Sequence, residues 1–450
     1  MEFARAQAPS PSKTILGEQQ NNIAMASADQ PPQKKQKIAI HEVDMEGSEF
    51  ICKANNAMNI NFLTSESGVD GNIVGVRPEF THQFFGDEET IIGFKNLKVD
   101  ILYSPSGSFS FFRTTFDDRL LAIGADPNAD LPETKLNALY GIPTGYTKER
   151  GAFLEQLKGE LQGNVTPPGK ILQTYIAEKT GKTFEVFVSF PSECAAAKSH
   201  HERLETLALY TIDGASPVDL DDHRWRVYTV YERVPVGNGK FYRKFAAYLT
   251  AFKFTNPFRE ARNDSLRVCQ ILTYGSYQRQ GHASKLLKQV SDDIEAEDMF
   301  ELTMEDPSDV LTVMRNVGDV KSCVGSCFFL FEGSPRLAAN SDSGASKLTY
   351  SWELTEDYTN NVQKKLRITK KQIRLCYEVL KLEAALASGN DVAKAQFKKE
   401  VTRRLYVLHR PSLDEIKNSE GKRDLAGVQF ALSEIYKGQE AYFRDMLGML

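Results

Sequence analysis

The sequence predicts an α/β (α+β) chain: a mixed sheet with helices at its centre, an N-terminal mixed module before it and a C-terminal helical bundle after it. Three observations carry that prediction. Residues 267–287, RVCQILTYGSYQRQGHASKLL, read as a strand, a turn and the start of a helix. Residues 171 to about 320 alternate strand-like and helix-like apolar patterns, and beyond the polar loop 335–346 the apolar spacing becomes helical. The expected divisions are a disordered tail over 1–40, the mixed module over 41–170, the central domain over 171–335 and the helical domain over 347–450.

The elements follow in order. Residues 1 to about 40 are rich in Gln, Pro, Ser and Ala, too poor in large apolar residues to build a core. Lys34, Lys35 and Lys37 after Pro31-Pro32 read either as a short nuclear-import cluster or as a solvated charge run, and Met25-Ala26-Ser27 is a possible alternative start. In the mixed module, strands are expected at Phe50–Ala54, Val99–Tyr103 and Phe109–Thr114, and a helix over Lys148–Leu161. The central domain should hold strands at Phe184–Val188, Trp225–Tyr231 and Phe245–Phe254, with Gly237-Asn238-Gly239 as a hairpin turn. Ser199–Ile212 reads as helix, and Trp225 as a core residue.

The turn at residues 278–283 follows an apolar run at Val268, Ile271 and Leu272. It precedes Ala283, Leu286, Leu287, Val290 and Ile294 at helical spacing. One helix later, Phe300–Thr303 reads as the neighbouring parallel strand. Further on, Thr369 is a plausible N-cap for a helix striped by Ile373, Cys376, Tyr377, Leu380, Ala384 and Ala387, ended by Ser388-Gly389-Asn390. A second helix carries Val401, Leu405 and Leu408 and should stop before Pro411. A third spans about Asp424–Leu447.

Composition narrows the function. Of 450 residues, 41% are apolar, enough for proper cores, yet no run of 18 apolar residues exists to span a membrane. No h-region near the N-terminus suggests a secretory signal. Six cysteines at 52, 194, 269, 323, 327 and 376 are too sparse for a disulfide scaffold and suit a reducing compartment. The net charge is −5, but residues 361–450 hold 18 Lys and Arg against 11 Asp and Glu, so the rest of the chain is acidic. An acidic front does not hold nucleic acid by bulk charge, and no direct specific nucleic-acid binding is expected. It suits a basic partner, or is ordinary solubilising surface.

The candidate chemistry lies in two places. Gly281 and small residues at a strand-to-helix turn let a bound group approach the first N–H groups of a helix. These have no internal partner and carry partial positive charge, so the group that fits is a phosphate. No Gly-Lys-Ser/Thr follows, which disfavours nucleoside triphosphate hydrolysis. Glu305, Asp306, Pro307 and Ser308 lie at the C-terminal end of the second parallel strand, where open α/β sheets bind ligands. A carboxylate there can take a proton from an amine. The other role open to this pair is capping, because Asp306-Pro307 fits an N-cap followed by Pro at N1. The assignment taken is Asp306 as the cap and Glu305 in the cleft. Cys323 and Cys327 lack a second ligand pair, and no metal is expected.

The pattern Gln/Arg-x-x-Gly-x-Gly/Ala after a strand resembles the signature of GCN5-related N-acetyltransferases. Four blocks extend the resemblance to type B histone acetyltransferase catalytic subunits: Glu79–Thr90, His201–Leu204 running on to Asp221–Trp225, Gln278–Ala283 and Glu305–Ser308. The resemblance implies an N-acetyltransferase mixed sheet and acetyl transfer from acetyl-CoA to lysines of the N-terminal tail of free histone H4. It implies Glu305 as general base, Asp306 as a second carboxylate and Asp213 where relatives carry a third candidate base, usually Glu. Backbone contacts to the donor are implied for Ile271, Leu272 and Thr273. The pyrophosphate loop is implied for Gln278, Arg279, Gln280, Gly281, His282, Ala283 and Ser284, with His282 presenting its backbone rather than catalysing. Tail contacts are implied for Asp87, Glu88, Glu89, Phe252, Lys253 and Phe254. It further implies a WD-repeat histone chaperone as partner and a nuclear and cytoplasmic location. Arg279 stands where many relatives have Gly. The shorter Asp213 leaves two other classes in view, a histone-binding chaperone subunit without catalysis and an acetyltransferase for another amine.

Overall fold

The structure, a computed structural model, describes residues 49–71, 75–120, 132, 146, 147, 149–336 and 347–450. The tail over 1–40, its Lys34, Lys35 and Lys37, and Met25–Ser27 lie outside the described residues. In the N-terminal part, β1 (Met58–Phe62), β2 (Lys98–Tyr103), β3 (Ser110–Thr115) and β4 (Tyr146–Thr147) form one sheet in that order, parallel, antiparallel, then parallel. Helix α1 (Arg150–Leu161) buries Phe153 and Leu157 against Leu102 and Phe111.

The central sheet holds six strands: β5 (Lys170–Ile176), β6 (Thr183–Ser189), β7 (Trp225–Gly237), β8 (Lys240–Thr255), β9 (Asp264–Thr273) and β10 (Leu302–Met304). Their order is β10-β9-β8-β7-β6-β5. Neighbours are antiparallel except β9 and β10, which run parallel in register Leu266–Leu302 to Val268–Met304. The second parallel strand begins two residues later than the sequence suggested. Asn238 and Gly239 both have positive φ (52° and 74°) between the paired Gly237 and Lys240. Such a two-residue turn matches the right-handed twist of the strands it joins.

Every residue from Phe245 to Ala251 is buried, because both faces of β8 are covered. On one face, α3 (His282–Ala296) lays Leu286, Leu287, Val290 and Ile294 against Val186, Val230, Leu249 and Val268. On the other, Phe245 and Tyr248 pack with Leu204 and Leu207 of α2 (Ala195–Thr211) and with Ile60, Phe62, Ile101 and Tyr103 of the first sheet. The first sheet and the central sheet therefore share one apolar core, and burial of these side chains is the main force holding them together.

Helix α4 (Asp309–Gly325) contributes Val320 and Cys323 to a separate cluster built with α5 (Glu356–Leu366), α6 (Lys370–Ala387), α7 (Asp391–Asp414) and α8 (Leu425–Gly448). Thr369 caps α6 by accepting from Gln372 N, and Ile373, Cys376, Tyr377, Leu380 and Ala384 are buried; Ala387, in the last turn, is exposed. The second helix of this region does not stop before Pro411. It runs through that residue to Asp414. Pro411 is exposed and in the last turn, so it removes only its own N–H bond and leaves the Val407 carbonyl to solvent.

Candidate active site

The site begins where β9 and β10 part. Glu305 N donates to Val268 O at 2.9 Å, just after the last paired residues, and β9 continues to Thr273 with no strand on that side among the described residues. The pairing with β8 passes from Val268–Ala251 to Gln270–Thr250, so Cys269 is the extra residue of a β-bulge. A bulge shifts backbone parity by one. Val268 O points to β10, whereas Gln270 N bonds Thr250 Oγ1 and Tyr274 N bonds Ala246 O, both on β8. By alternation Ile271 and Thr273 turn their backbone polar groups to the open edge. Leu272, between them, packs into the core.

At the end of β9 the chain turns through Gln278–Gly281 into α3. Arg279 and Gly281 take φ of 60° and 89°. The Arg279 conformation is held from outside: its carbonyl accepts from Lys179 Nζ at 2.7 Å. Gln278 Nε2 donates to Thr273 O at 3.3 Å, and Gln280 Nε2 to Ser276 O at 2.9 Å, closing the loop on itself. No side chain caps α3, and the first bond from Gly281 O goes to Lys285 N at 3.1 Å. The N–H groups of His282, Ala283 and Ser284 thus face outward at the positive end of a helix. Space over Gly281 is open: a Cβ built there meets nothing within 4 Å. An anionic group fits this cradle.

His282 supports the cradle from below. It is buried against Phe184, 4.3 Å between ring centroids, and its Nδ1 lies 2.7 Å from the Tyr175 hydroxyl. Burial pushes its pKa down to about 4, so it is neutral near pH 7 and is a packing residue of the loop. Its underside partner Tyr175 comes from β5, more than a hundred residues away, which no local sequence signal reveals.

The carboxylates divide by role. Glu305 is exposed at the end of β10, beside the Cys269 thiol. Asp306 does not cap the following helix. Its φ is 31°, which turns the chain sharply, and the cap falls to Ser308, whose side chain accepts from Leu311 N. The turn at Asp306 places Pro307 outside the helix, so the first residue able to reach the second-turn N–H groups is Ser308. Asp213 follows α2, its side chain 75% exposed and 3.8 Å from His82 Nε2. Its loop is tied to β9 and to the first module: Gln270 Nε2 donates to Ser216 O and Gln83 Nε2 to Ala215 O, both at 2.9 Å. The loop also covers Glu205, which accepts from Val218 N at 2.7 Å and whose pKa burial raises to about 7.

The acidic triplet does not act as a unit. Asp87 and Glu88 are exposed, and Glu88 lies 3.9 Å from Lys53. Glu89 turns inward: at φ 48° its Oε1 accepts from Thr81 N, Thr81 Oγ1 and Asn55 Nδ2, and these bonds hold its pKa below the usual value. Its carboxylate braces the loop, so an outward contact falls to Asp87 and Glu88. Across the sheet end, Trp225 is half-buried rather than in the core. It meets Phe252 edge-on at 4.8 Å, Phe252 meets Phe254 at 4.7 Å, and Arg224 and Arg267 stand over Phe252 and Phe254. Trp225 has left the core because its cross-strand partner Phe252 lies on the exposed end of β8. Lys253 points to Asp264 at 3.5 Å.

No group of His, Cys, Asp and Glu suited to a metal ion occurs among the described residues, and no helix there is long and apolar enough to cross a membrane. A family model described as "Histone acetyl transferase HAT1 N-terminus" matches residues 50–213. A histone acetyltransferase type B catalytic subunit of Mus musculus is 30% identical over 346 residues, covering 76% of this chain and 77% of its own. The Rattus norvegicus protein of the same description is 28% identical over 370 residues, 81% of this chain and 82% of its own. One from Cryptococcus neoformans is 25% identical over 425 residues, 86% and 97%.

Proposed function

This chain belongs to the family of histone acetyltransferase type B catalytic subunits, and on that premise we propose that it transfers acetyl from acetyl-CoA to lysines in the N-terminal tail of free, newly made histone H4, with Glu305 as general base. The observation that carries the mechanism is the parting of β9 and β10 at the Glu305 N to Val268 O bond. It leaves an open strand edge between a helix N-terminus and a carboxylate.

In this reading the pantetheine arm lies along β9 and bonds the outward backbone groups of Ile271 and Thr273. The pyrophosphate rests on the N–H groups of His282, Ala283 and Ser284. Exposed Arg279 and Lys285 lie at the rim of that cradle and can add charge-assisted bonds to the phosphates. The thioester then lies near the bulge, within the gap that Glu305 borders. A lysine amine has a free pKa of about 10.4 and arrives protonated. Glu305 takes one proton, the nitrogen lone pair attacks the thioester carbonyl, and the tetrahedral intermediate collapses with loss of the CoA thiolate. The thiolate takes up a proton, the product nitrogen loses its second one, and an amide remains. Direct attack needs no covalent enzyme intermediate.

Asp87 and Glu88 offer negative charge to a Lys- and Arg-rich tail, and the Trp225, Phe252 and Phe254 face offers apolar contact for its aliphatic stems. Asp306 and Asp213 are second and third carboxylates on the approach to this gap. A WD-repeat histone chaperone as partner and a nuclear and cytoplasmic location belong to the same reading. The test is incubation of the full chain with acetyl-CoA and free histone H4, with acetyl groups located by mass spectrometry. Glu305→Gln should lower turnover by about 100-fold or more while acetyl-CoA binding is kept. Full rate in that variant removes Glu305 from its role, and tail binding without any transfer favours a chaperone subunit.

A further inference from the structure

We propose that Cys269 is a positioning residue for Glu305: its thiol donates a hydrogen bond to the carboxylate and holds it toward the open edge of β9. The inference rests on Glu305 being the base.

The geometry comes from the bulge. Cys269 has no cross-strand partner on β8, since Thr250 faces Gln270 and Ala251 faces Val268. An extra residue of this kind re-aims its side chain. The Glu305 backbone is fixed one residue away by its bond to Val268 O, and the half-buried thiol is within hydrogen-bonding reach of the Glu305 carboxylate. No other side chain hydrogen-bonds or ion-pairs with Glu305 among the described residues. The thiol has one proton and two acceptors, the Arg267 carbonyl at 3.6 Å and the carboxylate. The ionised acceptor is the stronger.

Burial and the adjacent carboxylate hold the thiol well above its ordinary pKa, with Arg267 opposing them. Cys269 therefore stays protonated, which makes it a donor and a poor nucleophile. The charged groups around the pair are Arg267 on β9 and Asp306, next to Glu305 in the chain. Without the thiol an exposed glutamate samples several rotamers, and the productive one is populated less.

Steady-state acetylation of free histone H4 by the full chain tests this, with Cys269→Ala, Cys269→Ser, Glu305→Gln and the Cys269→Ala/Glu305→Gln double variant. Cys269→Ala should lower kcat about fivefold or more, with KM for acetyl-CoA changed less than about twofold. A donor to the ionised carboxylate lowers its pKa, so removing the donor should move the acid limb of the kcat–pH profile to higher pH. Cys269→Ser, which keeps a donor, should restore both rate and profile. Cys269→Ala should add nothing to Glu305→Gln. The proposal is overturned by wild-type kcat and pH profile in Cys269→Ala, by Cys269→Ser as impaired as Cys269→Ala, or by an acetyl group trapped on Cys269. Full rate in Glu305→Gln would sink the base assignment and this inference together. Collapse in Glu305→Gln with wild-type behaviour in Cys269→Ala sinks this inference alone.

Discussion

Gly281→Ala separates what the phosphate cradle contributes to binding from what it contributes to the fold. Gly281 sits at φ 89° and ψ 4°, just before the uncapped start of α3. An added Cβ meets no atom within 4 Å, so packing exacts nothing. What remains is the left-handed backbone penalty, about 1–2 kcal/mol for an L-residue. At about 2–4 °C per kcal/mol for a large domain, Tm should fall by only a few degrees. Binding should suffer more. The new methyl stands in the space through which a phosphate reaches the N–H groups of His282 to Ser284, and relief of strain rotates those groups away. One charge-assisted hydrogen bond is worth about 1.5–3 kcal/mol, so its loss should weaken acetyl-CoA about 10- to 100-fold. Isothermal titration with acetyl-CoA beside a thermal melt of the same sample reads both quantities. A Kd unchanged within twofold, with the Tm lowered as expected, refutes the cradle: the positive φ would then serve only the chain reversal.

Two further outcomes follow from capping and burial. Asn390 accepts from both Val392 N and Ala393 N at the start of α7, so Asn390→Ala should cost about 1 kcal/mol. A denaturation midpoint that does not move in urea would show that this end is held by packing alone. Glu205 has its folded pKa raised to about 7 by burial, above its unfolded value. The native state then binds more protons than the unfolded state between about pH 4.5 and 7, and its stability falls as pH rises through that window. Glu205→Gln keeps an acceptor for Val218 N without the charge. Its Tm advantage over wild type should grow from pH 5 to about 7.5 and stay level above, and a constant difference across pH 5–8 contradicts the assignment.

Features set by local periodicity and local chemistry were readable in the chain. The stripe Leu286, Leu287, Val290, Ile294 lies in the core because helical spacing on an amphipathic segment admits one buried face. Asn238-Gly239 forms its hairpin because few other pairs accept positive φ twice. Features that depend on a second segment were not readable. Asp306 looked like a cap, but its positive φ hands the cap to Ser308. Pro411 looked like a stop, but an exposed last turn tolerates it. Glu89 looked like one of three equivalent acids until Thr81 and Asn55 met its carboxylate. Trp225 looked like core until register set it beside Phe252 at a sheet end.

The bulge at Cys269 is the most consequential of these features. Nothing in the local sequence marks it, because a bulge is a property of the pairing between β8 and β9. Yet it determines which backbone groups of β9 face the open edge. With regular pairing from Val268 onward, the polar groups facing the gap would be those of Gln270 and Leu272, and Ile271 and Thr273 would bond β8 instead. The one-residue slip also turns Cys269 toward Glu305. The motif at 278–283 and the carboxylate at 305 are thus separately legible, but their arrangement as one site depends on a single unpaired residue between them. Substitutions that restore regular pairing there should disturb donor contacts and base geometry together, and this couples two parts of the site that the sequence presents as independent.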